Sequence, residues 1–446
     1  MTYRIIFRFA LLISLCGVAV PSFLNAQETP PASVPATPSA EPPKSTETQE
    51  TTEQPKPVET PKLPLSKEGF NSALAVQFLA YNTYSQLAAS QKDKNFCFSP
   101  LLLAKQLTVL RNGASNGKTA EELFNIFPVD MTNLKTADLA ENFNQMSTAV
   151  FRQGIKAPPN LPATFAHVNA VWIPANYPIV EQYINGIKTF FHTDLYAVDF
   201  IGNRDDAINT LNAWSRDSTN GKIPSVIDEP IKTSLPGDVS IIAAGIAAST
   251  PRLLTPFHQQ YTSEQEFTTI TGEKKKTPIM RQITPQLLYF ETPELTQIVS
   301  LPCVEENLYV VVFLPATGKL DALERQMTPA FLSQAFARLQ TQTVDLTLPK
   351  TTLTSCLDLT PTLQQLGLQT ALSADADFSF VSQSKENPLK LTSLLHETQV
   401  AILETAAQPQ QIPKPTALFY ANRPFVFLVW NVKTATPLIV GRIVHL

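Results

Sequence analysis

Asn212-Ala213-Trp214-Ser215-Arg216-Asp217-Ser218-Thr219-Asn220-Gly221-Lys222-Ile223 is the stretch on which the fold turns. Residues 208–218 read as a helix carrying Trp214, and the polar run Thr219-Asn220-Gly221-Lys222 follows it. Upstream, residues 169–173 are a short apolar strand. Downstream, residues 298–303 and 308–314 flank a Glu305-Glu306-Asn307 turn and read as a hairpin. Val344, Leu346 and Leu348 alternate strictly with polar residues, the pattern of a half-buried strand. Residues 424–430 and 437–444 form a second apolar hairpin.

Helices cluster earlier in the chain. Phe70, Leu74, Phe78, Tyr81 and Leu87 recur at near-helical spacing. Ser99-Pro100 opens another helix, with serine at the cap and proline in the first turn. Its apolar run includes Leu103, Leu107 and Leu110. Thr119 and Glu122 predict a capping box ahead of Leu123 and Phe124. No repeat of 20–50 residues is present. The sum is one α+β domain over residues 66–446 with sizeable antiparallel sheets.

The whole chain has 446 residues, 43% hydrophobic and 16% charged, enough to bury a full core without disulfide staples. A net charge of -4, from 34 basic and 38 acidic groups, argues against a nucleic-acid partner. The N-terminus reads as a cleaved secretory leader, residues 1–26. Arg4 and Arg8 precede an apolar and small-residue run of 12, Phe9 to Val20, ended by Pro21. A membrane span needs about 20 such residues. Residues 27–65, rich in Pro, Thr, Glu, Gln and Ser, form a disordered tether that lacks the apolar content to fold. The protein is expected outside the cytoplasm. Cys16 leaves with the leader. Cys97, Cys303 and Cys356 remain, in apolar or strand-like contexts, and read as buried thiols.

Catalytic patterns are missing. His167, His192, His258, His396 and His445 make no HExxH, and no GxSxG serine exists to pair with them. His396 reads as a core histidine bonded to backbone. Gly113 lies one residue too close to Gly117-Lys118-Thr119 for a phosphate loop. Lys274-Lys275-Lys276 reads as a solvated turn. The sequence indicates no enzyme, metal or cofactor.

Several segments, in this order, resemble the serpin family of protease inhibitors. Asn95-Phe96-Cys97-Phe98-Ser99-Pro100 resembles its NxxFSP start, and Gly113-Ala114 through Thr119-Ala120-Glu121 its GAxGxTxxE turn. Asn169-Ala170-Val171-Trp172 resembles ANALF. Asn212-Ala213-Trp214 with Thr219-Asn220-Gly221-Lys222-Ile223 is similar to NxWVxxxTNGKI. Asp375-Ala376-Asp377-Phe378-Ser379 resembles EADFS. Phe419 to Phe425 with Gly441-Arg442 resembles FxAxxPF and GRV. The resemblance implies three β-sheets, about eight or nine helices and an exposed reactive-centre loop. It implies inhibition of serine or cysteine endopeptidases by a monomer. A cleaved loop would enter the largest sheet as a new strand and trap the protease.

The loop departs from that pattern. Glu404 aligns with the family's glutamate, and Thr405, Ala406, Ala407, Gln408, Pro409, Ile412, Pro413 and Lys414 follow it. Pro409, Pro413 and Pro415 each remove a ladder donor that a central strand needs. Fourteen residues separate Glu404 from Phe419, fewer than in the family's inhibitors. Counting from either end places the scissile bond differently, near Tyr420 or near Pro413-Lys414. In the sheet-opening region Ser99 and His396 match the family, while Ala243 stands where it has asparagine, so the polar network there is expected to lack a partner. Gly245 and Pro251 suggest a locally altered strand. Two functions remain open: a protease inhibitor, in which the prolines argue against suicide trapping, or a non-inhibitory module binding a protein partner or small ligand.

Overall fold

The computed structural model describes residues 67–115, 117–127, 165–175, 177–384, 387–405 and 414–446. The expected leader and tether lie outside the described residues, as do Ala406, Ala407, Gln408, Pro409, Ile412 and Pro413.

Helix α1 (Lys67–Ser90) is where the periodicity placed it, but its core face is offset. Ala73, Val76, Ala80, Tyr84 and Leu87 are buried, whereas Phe78 and Tyr81 are half-buried. The small residues let the helix lie close against a sheet. β1 (Phe96–Phe98) leads into α2 (Pro100–Gly113). Ser99 caps α2, its hydroxyl accepting from the Leu102 amide at 3.3 Å. α3 (Lys118–Asn125) starts at Gly117, so the expected capping box does not form. Thr119 Oγ1 instead accepts from the Asp377 amide, and Glu122 accepts from the amides of Gln369 and Thr370. Distant backbone outcompetes the local cap.

The middle of the chain follows as β2 (Phe165–Pro174), α4 (Glu181–Phe191), β3 (Asp194–Val198), α5 (Arg204–Ser218), α6 (Glu229–Ser234) and β4 (Ile241–Ser249). Then come β5 (Ser263–Thr268), β6 (Lys274–Glu291), β7 (Gln297–Pro302), β8 (Leu308–Leu314), α7 (Leu320–Gln326) and α8 (Pro329–Ala337). The last elements are β9 (Gln340–Pro349), β10 (Thr351–Asp358), α9 (Thr360–Gln365), β11 (Leu391–Ile402), β12 (Ala417–Tyr420), β13 (Phe425–Asn431) and β14 (Thr436–Ile443).

These strands make two hydrogen-bonded sheets among the described residues. One has five strands, ordered β10-β11-β4-β2-β3. The other has nine, ordered β1-β14-β13-β8-β7-β6-β9-β12 with β5 on β6. Three sheets were expected. The long β6 pairs with β5, β7 and β9, with a register shift between Thr284 and Leu287, and so joins two of them. Lys274, Lys275 and Lys276 lie in β6, paired with β5, and not in a turn. From Val344 to Pro349 β9 is buried on both faces, not one: Asp345, on the polar side, is 3% exposed because Arg281 clasps it with two bonds of 2.9 and 2.7 Å.

The C-terminal hairpin sits inside the nine-stranded sheet. Gly441 is required there, since a Cβ would lie 2.7 Å from Phe96 O and Cys97 Cβ. Arg442 beside it is 1% exposed. Its guanidinium donates to Glu324 Oε1 at 2.8 Å and to the carbonyls of Gln91, Lys92 and Lys94. It lies 4.9 Å from the Phe96 ring centroid, and Tyr84 donates to the same Glu324 oxygen at 2.8 Å. One side chain thus ties α1, the loop after it, α7 and β14. Arg442→Met should strand the Glu324 charge in the core and cost about 3–5 kcal/mol in urea denaturation. A cost below about 1 kcal/mol would mean the cluster relaxes.

Candidate functional site at the parallel seam

β4 and β11 lie side by side in parallel, although about 150 residues of chain separate them. Nine register pairs run from Leu391↔Ile241 to Val400↔Ser249. The chain leaves β11 at Ile402 and reaches the loop base at once. Any segment that folded back between the two strands would run antiparallel to both.

The loop base is fastened at both ends. Glu404 accepts from Lys350 Nζ at 2.7 Å and from the Thr262 hydroxyl. These two bonds, Lys350's first, hold its carboxyl below the usual range. The Thr405 amide donates to Phe257 O at 2.9 Å, in a parallel bridge with His258. At the far end the Thr416 amide donates to Thr343 O at 2.8 Å, and β12 then pairs in parallel with β9. Lys414 is exposed between these anchors.

Beneath the seam lies a polar chain. The Ser99 amide donates to His396 Nε2 at 2.9 Å, which makes that nitrogen unprotonated. His396 Nδ1–H therefore donates to Gln106 Oε1, 2.9 Å away. This fixes the Gln106 amide so that Nε2 donates to Leu395 O on β11 at 3.1 Å and to Ala243 O on β4 at 3.5 Å. Burial pushes the His396 imidazole down to about 3, so it is neutral at ordinary pH.

Ser99, His396 and Ala243 are thus brought together, but the network does not lack a partner. Gln106, from α2, supplies the amide and touches both strands. Gly245 is the counterpart of that choice: a Cβ there would lie 2.7 Å from Gln106 Nε2. β4 runs unbroken through Gly245, and its register shift against β11 falls between Leu391 and Ser393. The sequence signal for Gln106 was present as a buried glutamine within Leu101-Leu102-Leu103-Ala104-Lys105-Gln106-Leu107. Its neighbour Lys105 turns instead to His167 on β2, 3.0 Å away. Cys97, Cys303 and Cys356 are free thiols, the first two buried and Cys356 half-buried. Among the described residues no group of His, Cys, Asp and Glu has metal-binding geometry.

A family model described as serpin (serine protease inhibitor) matches residues 74–446. The chain belongs to the serpin family. An uncharacterised serpin-like protein of Thermococcus kodakarensis is 25% identical over 404 residues, covering 86% of this chain and 89% of that one. An alpha-1-antiproteinase of Callosciurus caniceps is 25% identical over 376 residues, covering 82% and 87%. Human thyroxine-binding globulin, solved as a complex with thyroxine, superposes with a TM-score of 0.75 at 23% identity, over 85% of this chain and 99% of that one. A structure described as a tumour suppressing serpin gives 0.73 at 21% identity, over 84% and 100%. Family relatives therefore include protease inhibitors, and the fold is the serpin α+β fold.

In this serpin, Gln106→Leu should cost about 1–3 kcal/mol, because the His396 N–H and two strand carbonyls lose their partner. Gly245→Ala should cost a similar amount by pushing the same amide aside. The double variant should be no worse than either alone in urea denaturation, and additive costs would break the link. His396 also sets a pH dependence. Folded it binds fewer protons than the unfolded chain between about 6.5 and about 3. The His396 contribution to stability should fall through that window on acidification, by up to about 1.4 kcal/mol per pH unit. His396→Asn should flatten the slope between about pH 4.5 and about 3 in melts at fixed pH.

Proposed function

We propose that this serpin works outside the cytoplasm as a monomer and offers residues 405–418 to serine or cysteine endopeptidases. It engages them by occupying the active site, without complete strand insertion. It performs no catalysis of its own and needs no cofactor. The leader and tether of the sequence support the location, and no described helix is long and apolar enough to cross a membrane.

The short span between the two loop anchors carries this reading. Only ten residues, 406–415, separate Thr405 from Thr416. An inserted strand must match nine register pairs along the seam. It must also spend about two to five residues on the reversal at the end of β11. A cut between Pro413 and Lys414 leaves eleven residues from Leu403, which reaches the full register only with the tightest reversal. Pro409, Pro413 and Pro415 further remove three amides where both neighbouring strands offer partners.

The second reading is a non-inhibitory module, as the thyroxine-binding globulin among its structural neighbours illustrates. Its occupant would be a protein partner or a small ligand. A groove between α1, α8 and the C-terminal hairpin, lined by Tyr81, Tyr84, Leu332 and Val440, encloses only about 20 Å³. That is room for one water, whereas ligand pockets run to about 300–1,000 Å³.

Incubation of the mature protein with trypsin-like, chymotrypsin-like, elastase-like and papain-like proteases tests the proposal. Reversible inhibition or clean loop cleavage is expected, with no gain in melting temperature. A covalent complex that survives boiling in denaturing gels would refute it.

A further inference from the structure

His396 has a neighbour that faces the other way. Glu397 is 3% exposed, and its face of β11 is shared with Leu395 and Gln399. Leu395 packs in a cluster with Leu211, Val226, Ile227 and Ile231. Gln399 Nε2 donates to Lys222 O at 3.5 Å and to Thr354 Oγ1 at 3.2 Å. The segment from Lys222 to Asp228 therefore straps this face of β11 and β10.

The strap is held from its own side by α5. Asn212 Oδ1 accepts from the amides of Val226 and Ile227, each at 3.0 Å, and its Nδ2 donates to Ile227 O at 3.1 Å. Ser215 Oγ donates to Ile223 O at 3.1 Å. Asp228 closes the strap by capping α6, accepting from the Ile231 amide at 3.0 Å. Toward the sheet, Cys356 Sγ donates to Val226 O at 3.4 Å.

Under this strap Glu397 Oε2 has no hydrogen-bond partner among the described residues. Across the β10 ladder it faces Cys356, across the β4 ladder it faces apolar Ile246, and Asp228 approaches from α6. Among the described residues, the titratable groups coupled to it are the Cys356 and Cys97 thiols and the Asp228 carboxyl, with no cation. A buried carboxyl in such company is stable only when protonated. Burial, opposed by hydrogen bonding with Cys356 and reinforced by Asp228, moves it up to about 7.

We infer that Glu397 is a protonation catch for the strap, keeping residues 222–228 seated on β11 when neutral and driving them off when ionised. An ionised Glu397 can regain water only if the strap lifts. Lifting the strap bares the face of β11 next to the seam, so alkaline conditions loosen the site that a strand would enter. The inference stands apart from any protease target.

Hydrogen exchange on the full chain at pH 5.5, 7.0 and 8.5, corrected for intrinsic rates, tests it. The probes are the Val226 and Ile227 amides. A carboxyl at about 7 under the strap and 4.5 when released makes opening about thirtyfold more frequent at pH 8.5 than at 5.5. Glu397→Gln should keep the pH 5.5 protection throughout, and Glu397→Met serves if that variant folds poorly. Equal pH dependence in the variants, a flat profile in the natural protein, or the same loss at β13 amides would each overturn the catch.

Discussion

The hydrogen bonds between β4 and β11 are the constraint on which the rest of this molecule depends. They are parallel bonds between strands far apart in sequence, slightly weaker per residue than antiparallel ones. A strand placed between them would find antiparallel partners on both sides. The closed seam is therefore a sheet that withholds pairing, and it stays closed because other groups hold it. Gln106 and His396 clamp it from α2. The Asn212-tethered strap covers β11 from the opposite face.

That arrangement explains why the stretch from Asn212 to Ile223 was so readable. Its residues mostly serve each other. Asn212 binds a segment 14 and 15 residues on, and Thr219 accepts from Ile223 four residues on. Gly221 takes φ +78° to turn the chain between them. Local obligations leave local patterns, and the same holds for the Ser99 cap and the C-terminal hairpin. The order of such patterns was enough to give the α+β serpin fold.

The clamp was not readable in the same way. Gln106 finds its carbonyls 137 and 289 residues away, and nothing near it in sequence names them. Ala243 looked like a lost partner because nothing in the sequence pairs its carbonyl with Gln106. The capping box failed for the same reason, since Thr119 and Glu122 serve backbone roughly 250 residues downstream. Strict alternation makes Asp345 look solvent-facing, yet Arg281 and Tyr420 enclose it. Buried polar side chains are the misread class, because their partners are set by tertiary contact and not by period. Most of the loop named from sequence lies outside the described residues, and only Glu404, Thr405 and Lys414 were located.

His396 and Glu397 bring these threads together on one strand. Burial drives both toward neutrality, but with opposite consequences for proton binding. The histidine gives up its proton on folding, so its contribution is lost as pH falls from about 6.5 toward about 3. The glutamate keeps its proton on folding, so its contribution is lost as pH rises from about 4.5 through about 7. Where the windows overlap, one proton is released and one taken up, and global stability is nearly level. The two faces of the seam nevertheless answer to opposite ends of the pH scale. Acid attacks the clamp on the α2 side, and base loosens the strap on the α5 side. Adjacent residues on a strand must point to opposite faces, and that geometry alone lets one short segment respond to both.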